Sequence, residues 1–173
     1  MTGPPVVAPI VEGHGEVKAV QVLITRIGLE LLNATFVEVA QPFRLDSGKM
    51  RDPRELGKAI RVQAQRVSGR GGVLVLRDGD DKDVTCPVTL ASSLKQGQEA
   101  PLVPVEIVIA WREYEAWLLA AADSLHAHPA VRDDACAPAN PEGNRGAKGR
   151  LENLMLESYK ETCTRQSSRR SLT

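Results

Sequence analysis

Val73-Leu74-Val75-Leu76-Arg77-Asp78-Gly79-Asp80 joins a short apolar run to two carboxylates separated by one glycine. A second stretch, Val6-Val7-Ala8-Pro9-Ile10-Val11-Glu12-Gly13, has the same form and also ends in a carboxylate. Short apolar runs bounded by turn residues are typical of buried strands in a parallel sheet. The carboxyl ends of parallel strands lie at one edge of the sheet, where ligand sites collect. We therefore expect Glu12, Asp78 and Asp80 to meet at that edge.

Two interpretations of these carboxylates are open. An Asp-x-Asp at a strand end directs both side chains to one side, because residues i and i+2 share a face of an extended chain. Three neighbouring carboxylates repel one another unless a hard cation neutralises them, and oxygen ligands of this kind suit Mg²⁺ or Mn²⁺. The alternative is a solvated acidic turn, since Asp and Gly are common in turns. The second strand ending in Glu-Gly favours a metal site formed by Glu12, Asp78 and Asp80.

The composition is that of an ordinary globular chain. Its 173 residues are enough for one domain with a buried core, and 22 basic and 22 acidic residues give no formal net charge. A globally basic nucleic-acid binder is therefore not indicated. No apolar run reaches membrane-spanning length, and three cysteines without a C-x-x-C motif disfavour a disulfide framework or a zinc ribbon. We expect a cytoplasmic protein without membrane contact.

Strand and helix patterns alternate along the first two thirds of the chain. The predicted strands are Val6–Val11, Phe36–Ala40, Val73–Leu76 and Val103–Ala110. The predicted helices contain the residues Val17 to Leu31, Pro53 to Val67, Val84–Leu94 and Glu113–Ala122. In the second helix we expect Asp52 to be the N-cap and Glu55 to reach back to it. The order predicts an α/β fold, a mostly parallel sheet of about four strands with helices on both faces.

The pattern weakens after Ala122. Ala137–Gly149 is rich in Pro, Gly, Ala and Asn and is predicted to be a loop, and Leu151–Tyr159 is predicted to be a helix. The polar and basic end, Gln166–Thr173, is expected to fray. The sequence thus predicts an α/β core over residues 1–123 and a C-terminal extension over residues 124–173.

Four further carboxylates follow the predicted strand ends. Glu16 lies in the first turn of a helix, where the helix dipole favours it, and it also points back toward the strand edge as an extra ligand. Asp81 either binds metal or caps the next helix, and we expect Asp83 to cap it. Glu115 follows a third strand end and would join the same edge, although an exposed helix residue is the simpler interpretation.

Basic residues are concentrated in two segments despite the zero net charge. Eight basic and three acidic residues lie between Arg44 and Arg70, and Arg54, Lys58 and Arg61 share one helix face. A second basic segment includes Lys148. Such stripes are either solvated faces or surfaces that follow a phosphate backbone.

The chain resembles the Toprim fold family, in which one strand ends in Glu-Gly and a later strand ends in Asp-x-Asp. The matching motifs are Val11-Glu12-Gly13 and Leu76-Arg77-Asp78-Gly79-Asp80. With Trp111-Arg112-Glu113-Tyr114-Glu115-Ala116-Trp117 they are similar to the domain-of-unknown-function 4276 group of bacterial and phage proteins. The resemblance implies a Toprim-like fold and a Mg²⁺ or Mn²⁺ ion held by Glu12, Asp78 and Asp80. It also implies that Glu16 and Glu115 belong to the site.

The resemblance further implies a metal-dependent nuclease that hydrolyses phosphodiester bonds in nucleic acid, in a phage-defence or mobile-element context. The chain has no room for the large tyrosine-bearing domain of a topoisomerase and lacks the cysteine clusters of primases and recombination mediators. It therefore resembles the stand-alone nuclease branch related to overcoming-lysogenization-defect nucleases, which implies an ATPase partner encoded nearby. Lys148 or an arginine would steady the phosphate charge. The family continues beyond Tyr159-Lys160-Glu161-Thr162, so we expect the C-terminal extension to be shortened.

The alternative function is a non-catalytic Toprim-like module that binds a partner ATPase or nucleic acid. Its binding surfaces would be the face of Tyr114 and Trp117 and the basic helix with Arg54, Lys58 and Arg61.

Overall fold

The computed structural model describes residues 3–98, 103–126, 128–143 and 145–156. The chain forms two compact units, Met1–Trp111 and Arg112–Thr173. The boundary between the units thus falls at Trp111, and residues 112–123, which the sequence assigned to the core, belong to the second unit. Residues 157–159 of the predicted C-terminal helix and the end predicted to fray, Gln166–Thr173, lie outside the described residues.

The first unit is built on a five-stranded parallel sheet. Its strands are β1 (Val6–Val11), β2 (Glu38–Val39), β3 (Phe43–Arg44), β4 (Gly71–Asp78) and β5 (Val105–Ala110). β1 pairs with β4 on one side and with both short strands on the other, and β5 pairs with β4. The predicted α/β class and parallel sheet are confirmed, with one more strand than expected.

Four helices accompany this sheet. They are α1 (Glu16–Arg26), which continues into a π-helical turn (Ile27–Leu31), α2 (Ser47–Met50), α3 (Pro53–Val67) and α4 (Pro87–Gln96). α3 and α4 pack on one face of the sheet, where Leu56, Ile60 and Leu94 are buried against Val6, Val73, Val105 and neighbours. α1 buries Val20 and Ile24, which lie outside that cluster. No helix of the described part of the chain has the length and apolar character needed to cross a bilayer.

Two predicted details of the helix starts are wrong. Asp52 caps α3 as expected, accepting from the Arg54 backbone N–H at 2.8 Å, but Glu55 accepts instead from Lys58 Nζ at 2.5 Å. α4 begins at Pro87 rather than at Val84. Proline lacks a backbone N–H and its ring clashes inside a helix, whereas the first position needs no such donor.

The described part of the second unit consists of short helices joined by turns and irregular segments. It contains α5 (Glu115–Ala120), a 3₁₀ turn (Ala122–Leu125) and α6 (Ala147–Asn153), with Leu119 and Leu151 buried between the helices. The start of α6 corrects the predicted loop Ala137–Gly149 and the predicted helix start at Leu151. The Glu113 carboxylate accepts backbone N–H groups from Gly146 at 2.5 Å and from Lys148 at 3.0 Å. These bonds satisfy the first donors of the helix, so it begins earlier.

The strand predicted over Phe36–Ala40 is limited to β2, and a second short strand, β3, follows after a break at Pro42. Glu38, Ala40 and Leu45 donate backbone N–H groups to the carbonyls of Pro5, Val7 and Val11 in turn. The next carbonyl of β1 after Val7 that faces this neighbour is that of Pro9. The residue opposite it is Pro42, which has no backbone N–H to donate. The Nε2 of Gln63 on α3, which is fully buried, donates to the Pro9 carbonyl at 2.6 Å instead. A helix side chain thus completes the sheet where the strand cannot.

Replacing Gln63 with leucine should destabilise the protein by about 1–2 kcal/mol, because the buried Pro9 carbonyl would lose its donor. The exposed Gln65, also on α3, offers a control, since Gln65→Leu should leave stability nearly unchanged. Urea unfolding followed by circular dichroism measures both. Equal midpoints for the two variants would contradict this role of Gln63.

Candidate functional site

The carboxyl edge of the sheet brings Glu12 and Arg77 side by side. Val11 pairs with Leu76 in the register of β1 and β4, so the next residue of each strand falls at the same level. The Arg77 side chain is 1% exposed, and its Nε lies 3.7 Å from Glu12 Oε2. The sequence did not mark Arg77 as a site residue. The signal was an arginine at the end of an apolar strand, next to an acidic motif.

Glu16 closes the turn between β1 and α1. Its Oε2 accepts the backbone N–H groups of Glu12 and Gly13, both at 3.0 Å. A Cβ at position 13 would come 2.9 Å from Glu16 Oε1, so a side chain there would displace the Glu16 carboxylate from this position. The helix-start role of Glu16 is therefore observed, and the same contacts hold its carboxylate beside Glu12.

Glu12 is held in an environment that disfavours its charge. Burial, with Glu16 and Asp80 as neighbouring negative charges, raises the pKa of Glu12 from 4.5 to about 7, against the opposing effects of Arg77 and a hydrogen bond from the Asp78 backbone N–H. Desolvation thus outweighs the arginine. The carboxylates of Glu12, Glu16 and Asp80 lie within electrostatic reach of one another. Asp78 acts on Glu12 through its backbone.

Two arginines hold the segment that follows β4. Arg77 Nη2 donates to Asp81, whose other oxygen lies 3.6 Å from Arg51 Nη1, and Arg51 also donates to Asp83. The prediction that Asp83 caps α4 is wrong, because Cys86 occupies the cap position and the Asp83 carboxylate binds Arg51. Asp81 does not cap α4 either, because its carboxylate pairs with Arg77 and Arg51, and its role as a metal ligand stays a prediction.

Gly79 lies where β4 continues past Asp78 along β5. Its N–H donates to the Ala110 carbonyl at 2.9 Å, and a Cβ there would come 2.9 Å from Ile109 Cγ2 and 3.1 Å from that carbonyl. The close neighbour that requires glycine is thus the backbone of β5. The exposed Asp80 follows directly, and its carboxylate is available to solvent.

The other predicted site residues are distributed over both units. Arg54, Lys58 and Arg61 are exposed on α3 in the first unit. Glu115, the first residue of α5, and Lys148, in the first turn of α6, belong to the second unit. Their predicted roles beside Glu12 stay predictions.

The carboxylate oxygens of the acidic edge are of the type that a hard cation prefers, although they do not form a preorganised coordination site among the described residues. Within the described residues, no three His, Cys, Asp or Glu side chains are grouped as a metal site. Glu12 Oε2, however, is buried and accepts no hydrogen bond from the residues that the structure describes. A divalent cation at this position would give the buried oxygen a partner. It would also reduce the repulsion between Glu12 and the two neighbouring carboxylates.

No protein-family model, no curated protein and no solved structure matches this chain.

The raised pKa of Glu12 predicts how stability depends on pH in the metal-free protein. The folded state holds the Glu12 proton more tightly than the unfolded state, so stability falls as pH rises from 4.5 to about 7. Glu12→Gln should remove that loss and should be more stable than the wild type at pH 8, by at most about 3 kcal/mol. Thermal unfolding in EDTA at several pH values measures the difference.

Glu30→Gln is the matched control, because the hydrogen bond from Arg26 lowers the pKa of Glu30. The difference in stability between Glu30→Gln and the wild type should change with pH only below pH 4.5. A wild type that keeps the same stability relative to Glu12→Gln across the whole range would contradict the burial of the Glu12 charge.

Proposed function

We propose that this protein is a Toprim-like, metal-dependent nuclease that hydrolyses phosphodiester bonds in nucleic acid. The observation that supports it best is the part-buried carboxylate of Glu12 at the carboxyl edge of a parallel sheet, with Glu16 and Asp80 within electrostatic reach. Ligand sites of open parallel sheets lie at that edge. A buried carboxylate oxygen without a donor, in an acidic group beside the strand ends, is the chemistry that a phosphate-bound Mg²⁺ or Mn²⁺ ion requires.

Each residue of the edge has a role in this proposal. Glu12, Asp78 and Asp80 would hold the ion, and Glu16 would complete its surroundings within the first unit. When bound, the ion would supply a Lewis acid for the phosphoryl oxygens. Arg77 and the backbone N–H of Asp78 hold the Glu12 carboxylate in place.

Alternatively, Asp78 and Asp80 would hold the ion and Glu12 would act as the general base on the attacking water. The Glu12 pKa of about 7 is near the pH at which a general base works best, because the group is then both unprotonated and basic enough. A water bound beside Glu12 Oε2 would lose its proton to that oxygen as it attacks phosphorus. Lys148 or an exposed arginine would stabilise the negative charge that develops on the phosphate.

Asp78→Ala and Asp80→Ala should each lower cleavage of plasmid and single-stranded DNA by at least about 100-fold in Mg²⁺ or Mn²⁺, as losses of catalytic carboxylates commonly do. Asp133→Ala, at an exposed aspartate of the second unit, is the control for loss of one charge and should keep full activity. Gel assays with linear and circular substrates measure the rates. Cleavage that persists in both Asp78→Ala and Asp80→Ala would refute the assignment.

A second candidate function, a non-catalytic module that binds an ATPase partner or nucleic acid, is favoured by Arg77. Its guanidinium is a cation built into the acidic edge, paired with Glu12 and Asp81, and it partly supplies the charge that an ion would bring. The binding surface predicted for this function included Tyr114. Because Tyr114 is buried, its side chain cannot form part of an exposed binding surface. Its ring contacts Trp117 edge-on, with centroids 5.5 Å apart.

Calorimetric titration with Mg²⁺ separates the two functions. If the protein is the proposed nuclease, the wild type should release or absorb heat on binding Mg²⁺, and Asp80→Ala should bind at least about 10-fold more weakly, since a hard cation loses one charged ligand. Asp133→Ala should titrate like the wild type. Absence of Mg²⁺ binding by the wild type would favour the non-catalytic module.

A further inference from the structure

An open cleft lies between α3 and the C-terminal end of α4. It has a volume of about 310 Å³ and is lined by Pro53, Arg54, Gly57, Lys58, Arg61, Gly97 and Gln98. Three of these seven residues are cationic, and no carboxylate is among them. Gly57 lies at its floor, where an added Cβ would come 3.0 Å from Gln98 Oε1 and 3.6 Å from Arg61 Nη1. A larger residue at this position would narrow the cleft.

The charge of the cleft is accessible. Arg54, Lys58 and Arg61 are all exposed. The acidic neighbour Glu55 pairs with Lys58, but the Lys58 side chain remains 63% exposed. Exposed pairs of this kind are weak, so Lys58 can exchange Glu55 for a stronger anion. The three cations together form a positive surface on a protein without net charge.

The spacing of the cations matches a repeating anion. Arg54 and Arg61 are separated along α3 by about 10 Å, at 1.5 Å per residue. Successive phosphates of one nucleic-acid strand are separated by several ångström, so a row of this length spans more than one phosphate. A single inorganic phosphate would engage only part of such a row.

The row also begins next to the acidic edge. Arg51, which lies just before the N-cap of α3 and three residues before Arg54, forms ion pairs with Asp81 and Asp83 just after β4. A strand that follows α3 toward its first residue therefore approaches the segment that carries Asp78 and Asp80. The connection lies wholly within the first unit.

We propose that this cleft binds the sugar–phosphate backbone of one nucleic-acid strand and directs that strand to the acidic edge. The inference rests on the proposed function for its substrate class and assigns the residues that hold the substrate. Arg54, Lys58 and Arg61 contact phosphates, and Gln98, whose Nε2 donates to the Leu94 carbonyl at 3.2 Å, lines the same cleft.

The test compares two triple variants with equal loss of charge. In the first, Arg54, Lys58 and Arg61 are replaced by alanine. In the control, the exposed Lys18, Arg26 and Arg132 are replaced by alanine. Fluorescence anisotropy with a labelled single-stranded oligonucleotide in EDTA, from roughly 50 to 200 mM salt, gives the affinity and its salt dependence. Circular dichroism confirms that both variants fold.

The cleft variant should bind about 10- to 100-fold more weakly, and its slope of log K against log salt should fall by about 2, from loss of three contacts to a single strand. The control should retain the wild-type slope. Equal slopes in the two variants would overturn the proposal. It would also be overturned if inorganic phosphate, at the same concentration as the phosphates of the oligonucleotide, abolished binding. A third contrary outcome is a cleft variant that binds the oligonucleotide like the wild type but no longer binds phosphatidylserine vesicles.

Binding in EDTA does not depend on hydrolysis, so the two proposals fail separately. If the wild type binds DNA through the cleft but never cleaves it, the proposed catalysis is refuted and the cleft assignment stands. If the cleft variant binds and cleaves DNA like the wild type, the cleft assignment is refuted and the nuclease proposal stands.

Discussion

The register between β1 and β4 determines what meets at the carboxyl edge of the sheet. Because Val11 pairs with Leu76, Glu12 and Arg77 follow at the same level, and the apolar strands beneath them keep water away. A shift by one residue would turn every side chain of a strand to its opposite face. The ion pair of Glu12 with Arg77 therefore depends on that single pairing, whereas the bond of Arg77 to Asp81 is local to the end of β4.

At the acidic edge, burial and repulsion both disfavour the charged form of Glu12. Burial alone disfavours an ionised Glu12, and Glu16 and Asp80 add repulsion, so the pKa reaches about 7 although Arg77 is adjacent. Arg77 also leaves its Nε and Nη1 without hydrogen bonds to the residues that the structure describes. Neither the carboxylate nor the guanidinium is thus fully satisfied, which is the condition under which an added ion or phosphate gains most.

The long regular elements followed local patterns, and the short ones did not. β1 matches its predicted range, and α3 begins at Pro53 after the cap at Asp52, because apolar periodicity and capping chemistry are properties of neighbouring residues. The β2 and β3 strands, of two residues each, were not separable by pattern. Their break reflects Pro42 and the donor on Gln63, which lies 54 residues from Pro9 in sequence.

The sequence alone determined that the chain alternates strands and helices, and that Glu12 and the Asp78–Asp80 motif follow two strands of one sheet. These features need only periodicity and the parallel geometry that follows from it. The tertiary structure alone decided that Arg77 is buried between Glu12 and Asp81, that Asp83 pairs with Arg51, and that three exposed cations line a cleft with Gln98. Such contacts join residues far apart in the chain, and no local pattern records which distant partner satisfies a buried charge.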